Sequence, residues 1–238
     1  LAIGVQMLFW GITSPLFGMV ADKYGSNRAT FVAFLLYIIG SYIVLTQPAS
    51  NSIFLISMGV VIGTALGGTA VSVPVSAVGK YFSDKNRTIS VGIVTGSASI
   101  GFFVMPLFAK FSNDIYSWQN TVQYFIYFLI FASICSLFLF RKEYVNTTRN
   151  SFTRDQKVSE ALREAFRHKG YMLLVAGFFV CGFQITLIAT HIPGYIQQKG
   201  LPEWTAAAIL ALIGFFNIFG TVGMGFLASR YSKKILLN

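Results

Sequence analysis

Charge is scarce in this 238-residue chain: Lys, Arg, Asp and Glu make up 11% of it, against about 25% in ordinary soluble domains. Acidic residues number only 8, with 2 histidines and 2 cysteines. Two cysteines inside apolar stretches, Cys135 and Cys181, exclude a disulfide framework. The few His, Cys, Asp and Glu form no spaced set of metal ligands, and no Ser or Cys nucleophile lies near a base in a recognisable pattern. No glycine loop follows a strand in the way a phosphate cradle requires. The sequence therefore offers no cofactor, no metal centre and no enzyme.

What is present is apolar. Hydrophobic residues make up 55% of the chain and mean hydropathy is +0.65. The charged residues are also absent in blocks: residues 1–20, 30–47, 52–79, 88–109, 121–140, 171–192 and 205–228 contain none. A helix needs roughly 20 apolar residues to cross ~30 Å of hydrocarbon, and each block is long enough. Barrel strands of ~10 alternating residues do not fit runs of this length. The pattern predicts an all-α, polytopic membrane protein with seven transmembrane helices, whose first partner is the lipid bilayer.

The net charge of +10 looks at first like an invitation to nucleic acid. Its distribution gives another account. The segments 21–29, 80–87, 141–170 and 229–238, all on one side of a seven-span topology, hold 16 of the 18 basic residues. Lys110 and Lys199 are the two on the other side. Cytoplasmic loops of membrane proteins carry this excess, so the basicity marks orientation, and no nucleic-acid partner is expected. The long polar segment 141–170 separates five spans from two. Within it Asp155 is placed to cap a helix reaching His168, with Val158, Leu162 and Phe166 on one face. Such a helix suits the membrane surface, and a solvated tether explains the segment equally well. Leu1 opens inside an apolar stretch and the chain stops just after Lys233 and Lys234, so both ends read as cuts.

An internal repeat carries the most information. Residues 18–25 read Gly-Met-Val-Ala-Asp-Lys-Tyr-Gly, and residues 225–232 read Gly-Phe-Leu-Ala-Ser-Arg-Tyr-Ser, at an offset of 207. Each copy closes an apolar span and opens a basic loop. Six spans lie between them, so both face the same side, as the charge pattern independently requires. A six-span unit repeated in parallel is one known transporter plan. Glycine spacing suggests close helix packing: Gly4, Gly11 and Gly18 share one face, Gly59, Gly63 and Gly67 recur every fourth residue, and so do Gly92 and Gly96. Pro74 and Pro106 are placed to kink their spans.

The stretch Gly18-Met-Val-Ala-Asp22-Lys23-Tyr-Gly25-Ser-Asn-Arg28 resembles the signature loop between helices 2 and 3 of the major facilitator superfamily. Gly225 to Arg230 resembles the weaker copy between helices 8 and 9, with Ser229 in place of the acid. Tyr81-Phe82, Lys85-Asn86-Arg87 and Gly92 to Ser97 resemble the entrance to helix 5 in the monocarboxylate-transporter-like branch. Ser117-Trp118-Gln119 resembles the motif before helix 6 there, with Gln119 replacing an arginine. The resemblance implies seven of twelve helices in a two-bundle fold. Residues 1–140 would be helices 2–6 of the N-terminal bundle, 141–170 the cytoplasmic linker, and 171–238 helices 7 and 8 of the C-terminal bundle. It implies alternating-access transport of a small organic solute across the cell membrane, with a monocarboxylate as the branch's substrate class and a proton as a candidate coupled ion. It also implies that Gly18, Asp22, Lys23, Gly25 and Arg28, with Gly225 and Arg230 in the second copy, form a gate at the cytoplasmic side.

The chemistry of that loop is readable without the family. Gly18 would admit a neighbouring helix, Gly25 would permit a left-handed turn, and Asp22 could meet a helix N-terminus or a cation such as Lys80 or Arg87. Polar side chains at membrane depth are the candidates for a solute pathway: Gln6 and Trp10 on the first span with Thr13, Gln184 and His191 on the sixth, and Asn217 with Thr221 on the last. For any one of them an interhelical hydrogen bond of about 1 kcal/mol is the plainer explanation. His191 stands just before Pro193 and could be a proton-linked switch, or simply sit wet at the interface. No carboxylate or ammonium lies within a span, so no residue here speaks for an anionic substrate. Two rivals remain: a truncated product without transport activity, and a seven-helix receptor. The receptor leaves the repeat unexplained.

Overall fold

A computed structural model describes residues 1–47, 50–81, 84–138 and 158–230. Every secondary-structure element among them is helical: α1 (Ala2–Tyr24), α2 (Ser26–Thr46), α3 (Asn51–Phe54), a π-helical stretch (Leu55–Val61), α4 (Ile62–Thr69), α5 (Ser72–Tyr81), α6 (Asp84–Ile115), α7 (Trp118–Phe138), α8 (Val158–Arg167), α9 (Lys169–Gln198) and α10 (Trp204–Arg230). Seven of the helical segments are long and apolar enough to cross a membrane, and each contains one of the charge-free blocks, less a terminal residue or two in some cases. At 1.5 Å per residue the shortest of them, 21 residues, reaches about 31 Å, enough for the hydrocarbon.

Their surfaces fit that environment. Apolar side chains lie on the outside along the spans, among them Phe131 at 65% and Phe178 at 71% exposed. A helix that is apolar all round must be buried in something, and here that something is lipid. The chain groups into two compact bodies, Leu1–Tyr144 with Ala208–Asn238, and Val145–Ala207.

In the first body, packing is organised by glycine. On α1 the face bearing Val5, Gln6 and Thr13 lies against Gly59, Gly63 and Gly67 of the third span. A Cβ at Gly63 would stand 2.8 Å from the Gln6 carbonyl oxygen, and one at Gly67 2.2 Å from Thr13 Oγ1. The backbones approach because no side chain separates them. Gly68 gives Ala33 and Phe17 the same access, and Gly40 of α2 admits Ile62. Serine and threonine add short polar contacts: Thr13 Oγ1 donates to the Phe9 carbonyl at 2.7 Å and reaches the Thr64 carbonyl across the interface at 3.3 Å. Between α6 and α7, Thr121 Oγ1 donates to Ser112 Oγ at 3.0 Å.

The third span is not a uniform helix. Its middle widens into the π-helical stretch, where the Ile62 N–H donates to Ser57 O, five residues back. The helix then breaks at Ala70–Val71. Ala70 is extended, with φ −62° and ψ 159°. Pro74 explains the break, since it has no N–H for the Ala70 carbonyl; the Val73 N–H serves that carbonyl instead, at 3.3 Å. Pro106 behaves differently: α6 runs through it without interruption.

In the second body, α8 realises the helix foreseen in the linker. Its proposed cap, Asp155, lies outside the described residues. One residue, His168, separates α8 from α9, and its Nδ1 accepts from the Tyr171 N–H at 3.2 Å to cap α9. At the other end α9 closes in a Schellman turn: Leu201 N–H bonds Ile196 O and Gly200 N–H bonds Gln197 O, both at 3.1 Å. Gly200 takes φ +66°, which a side chain would resist.

Candidate functional site

The signature residues form the corner joining α1 to α2. α1 ends at Tyr24, α2 starts at Ser26, and the single residue between them is Gly25 with φ 94° and ψ 142°. Gly25 thus takes a positive φ, which its lack of a side chain permits, with ψ extended. Its N–H donates to Ala21 O at 3.0 Å, closing α1 as the chain reverses. Small residues hold the corner shut: Ala21, Ala29 and Val73 are buried together, with Phe17 packed on them. This pins the end of α1, the first turns of α2 and the start of α5 to one another. Asp22, Lys23 and Arg28 face outward from that pinned corner and are exposed. The Lys23 ammonium stands 5.2 Å from the centre of the Tyr24 ring. The side chains of Lys80, Arg87 and Arg230, the candidate partners of Asp22 and the basic residue of the second copy, lie outside those described.

Gly18 departs from expectation. Among the described residues nothing comes within 4 Å of where its Cβ would be, and the same is true of Gly4 and Gly11. The cause is geometric: successive residues turn 100°, so these glycines lie roughly opposite the face of α1 that meets the third span. Its counterpart in the repeat does make a close approach. A Cβ on Gly225 of α10 would stand 3.0 Å from Gly92 Cα on α6. Gly96 faces Val222 one turn along, and Gly214 meets the backbone of Phe102 and Phe103. Phe103 and Phe215 pack with ring centres 5.7 Å apart. Gly92 and Gly96 were visible as a spaced pair; Gly214 was not, because a single glycine in an apolar helix carries no period.

Of the pathway candidates on α1, Gln6 and Thr13 are each 8% exposed and Trp10 is half-buried. Gln6 and Thr13 occupy the glycine-lined contact with the third span, so they share a face as their spacing predicts. Asn217 on α10 is exposed, and its carbonyl accepts from Thr221 Oγ1 at 2.8 Å. On α9, Gln184 and His191 are both exposed. Among the described residues no cluster of three His, Cys, Asp or Glu could hold a metal ion.

Comparison with known proteins settles the family. A model of the Major Facilitator Superfamily matches residues 1–238. The chain belongs to the Major Facilitator Superfamily. Its relatives in that superfamily are distant. An uncharacterized transporter of Buchnera aphidicola subsp. Schizaphis graminum is 23% identical over 90% of this chain and 54% of its own. Monocarboxylate transporter 2 of Homo sapiens is 21% identical over 92% of this chain and 50% of its own. Sialic acid transporter NanX of Escherichia coli (strain K12) is 20% identical over 94% of this chain and 54% of its own. The chain thus spans about half the length of the curated relatives it matches. These relatives are transporters, not enzymes, and this superfamily member is a multi-pass membrane protein. The branch suggested by the helix-5 and helix-6 motifs also finds its named relatives here.

Proposed function

We propose that this chain is the helix 2 to helix 8 portion of a secondary transporter that moves a small organic solute across the cell membrane by alternating access. The observation that carries the reading is the duplicated motif at 18–25 and 225–232. It places one helix-end corner in each of two parallel six-span units, as a two-bundle transporter requires. The division into residues 1–140, a linker at 141–170, and residues 171–238 belongs to the same reading, with the long polar stretch as the linker. The contact between α6 and α10 supports the same reading. The repeat assigns these helices to different units, and glycines leave their contact smooth enough for one to roll on the other.

Within this reading the Asp22 corner is a cytoplasmic gate. Lys23 and Arg28 present charge there, and Gly25 fixes the turn. Gln6, Trp10, Gln184, His191 and Asn217 are the pathway candidates, drawn from both units. A monocarboxylate or another carboxylated solute is the substrate class, because the relatives include transporters named for monocarboxylates and for sialic acid. A proton is the candidate coupled ion. The test is exchange of labelled carboxylates by the gene's full-length product in proteoliposomes, with an imposed pH gradient. Saturable exchange that the gradient accelerates supports both parts. Exchange indifferent to the gradient removes the proton, and no exchange removes the transporter.

A further inference from the structure

The first body contains a cavity of about 380 Å³ that none of the gate or pathway residues lines. Its walls come from the start of α2, the third span around its break, and the last turns of α7. Those helix ends all point to the basic, cytoplasmic side, so the cavity lies in the inner half of the membrane. Phe34, Phe128, Phe131 and Pro74 make its depth apolar, while Asn27 and Thr30 lie at the end nearest the α1–α2 corner. From Asn27 to Phe34 along α2, or from Phe128 to Ser136 along α7, the slot runs about 10–12 Å. One leaflet's hydrocarbon is about 15 Å thick, half of the ~30 Å core, so the slot takes most of the length of a lipid tail in a single leaflet. It is also open along one side, since Phe128 and Phe131 are 51% and 65% exposed although they line it.

We propose that this slot is a binding site for one acyl chain of an anionic phospholipid of the cytoplasmic leaflet, with the headgroup held at the α1–α2 corner. The chemistry divides accordingly. The tail takes the aromatic wall, entering sideways from the bilayer without crossing a polar barrier. The glycerol and ester oxygens reach Asn27 and Thr30, one at each end of the first turn of α2. The phosphate is left to the exposed cations of the same corner, Lys23 at the end of α1 and Arg28 in the first turn of α2. Basic groups at a membrane surface favour anionic headgroups in this way. The slot's position at the foot of α2, α5 and α7 gives the lipid a hold on the corner that turns at Gly25. The site stands independently of the transport reading.

Cys135 lines the slot and is half-buried, which makes it a reporter. In a Cys181→Ser background, the delipidated 238-residue protein in detergent is treated with N-ethylmaleimide and the rate of Cys135 alkylation is followed. Adding dioleoyl phosphatidylglycerol slows alkylation several-fold, and phosphatidylcholine slows it less. Replacing Lys23 and Arg28 by Gln removes the difference between the two lipids. Filling the slot by Ala132→Phe makes the rate independent of lipid. If Ala132→Phe fails to fold, the comparison of lipids on the unfilled protein decides alone. A rate that phosphatidylglycerol leaves unchanged overturns the proposal, and so does equal protection by oleyl alcohol, which shares the tail and carries no anionic head. Protection of Cys135 in the gene's full-length product after complete delipidation also overturns it, since another protein segment would then fill the slot.

Discussion

Adding one methyl group at Gly67 is the sharpest perturbation of the bundle that the structure offers. The new Cβ would lie 2.2 Å from Thr13 Oγ1 and 2.9 Å from both the Ser14 nitrogen and the Thr13 carbonyl carbon. Two of those are backbone atoms of α1, so rotating a side chain does not relieve the clash. The helices must separate by about 1 Å, and overpacking of this kind costs about 1–3 kcal/mol. Separation also lengthens the Thr13 contact to the Thr64 carbonyl, a cross-helix bond worth about 0.6 kcal/mol in membranes. Against this, alanine improves helix propensity by up to ~1 kcal/mol. The net expectation for Gly67→Ala is a loss of roughly 1–3 kcal/mol. Gly11→Ala is the control, because nothing lies within 4 Å of its Cβ; it gains propensity without a clash and is neutral or slightly stabilising. Denaturation of the 238-residue protein in mixed micelles, followed by circular dichroism, measures both. If Gly67→Ala is as stable as the parent, or Gly11→Ala is equally damaging, the glycine-lined contact between α1 and the third span is wrong.

Orientation is tested with single cysteines at Arg28, Glu160 and Asn51, all exposed, in a background lacking Cys135 and Cys181. An impermeant thiol reagent applied to intact cells labels Asn51→Cys and spares the other two; the opposite pattern reverses the topology. In the gene's full-length product, Asp22→Asn slows transport and leaves equilibrium solute binding unchanged, because it alters a gate and not a site. A contact made in one state alone, worth about 1–3 kcal/mol, changes the cycle by ~5- to 150-fold. Parallel loss of binding, or no change in either, refutes the gate. Replacing Gln184 or Asn217 by Leu in the same protein weakens solute binding several-fold, by about 1 kcal/mol of lost hydrogen bond. Unchanged affinity in both assigns those side chains to packing.

The spans were legible because hydropathy reports what leaves water, and charge placement reports which ends stay in it. Gly25 was legible because it stands in the short basic segment between two spans, where the chain must reverse and glycine alone turns freely. Periodic glycines announced the contacts at Gly59, Gly63, Gly67 and Gly92. The limit appears at Gly18, which has the right residue and spacing and yet faces no neighbour among the described residues. A period says which residues share a face, but not which helix that face meets. Ser26 makes the same point from the other side. It lies inside the basic segment 21–29, where exposure is the ordinary expectation, yet it is 2% exposed, and its hydroxyl has no hydrogen-bond partner among the described residues. The tight Gly25 turn carries it inward beside Ala29. The π-helical stretch and the slot beside Pro74 were hidden for a related reason. Both arise where three helices meet, and no single segment of sequence encodes that meeting. For Gln6 and Thr13 the spacing predicts a shared face, and the structure packs that face on Gly63 and Gly67 of the third span.

The central claim is that these helices belong to a transporter in which two parallel units share one solute site. Counterflow measures it most directly: proteoliposomes of the gene's full-length product are loaded with unlabelled carboxylate and diluted into labelled carboxylate. Transient accumulation of label above its equilibrium level, saturable and abolished when Gln184 and Asn217 are both replaced by Leu, is the predicted result. Accumulation no greater than in protein-free liposomes, across monocarboxylates and sialic acid alike, contradicts it.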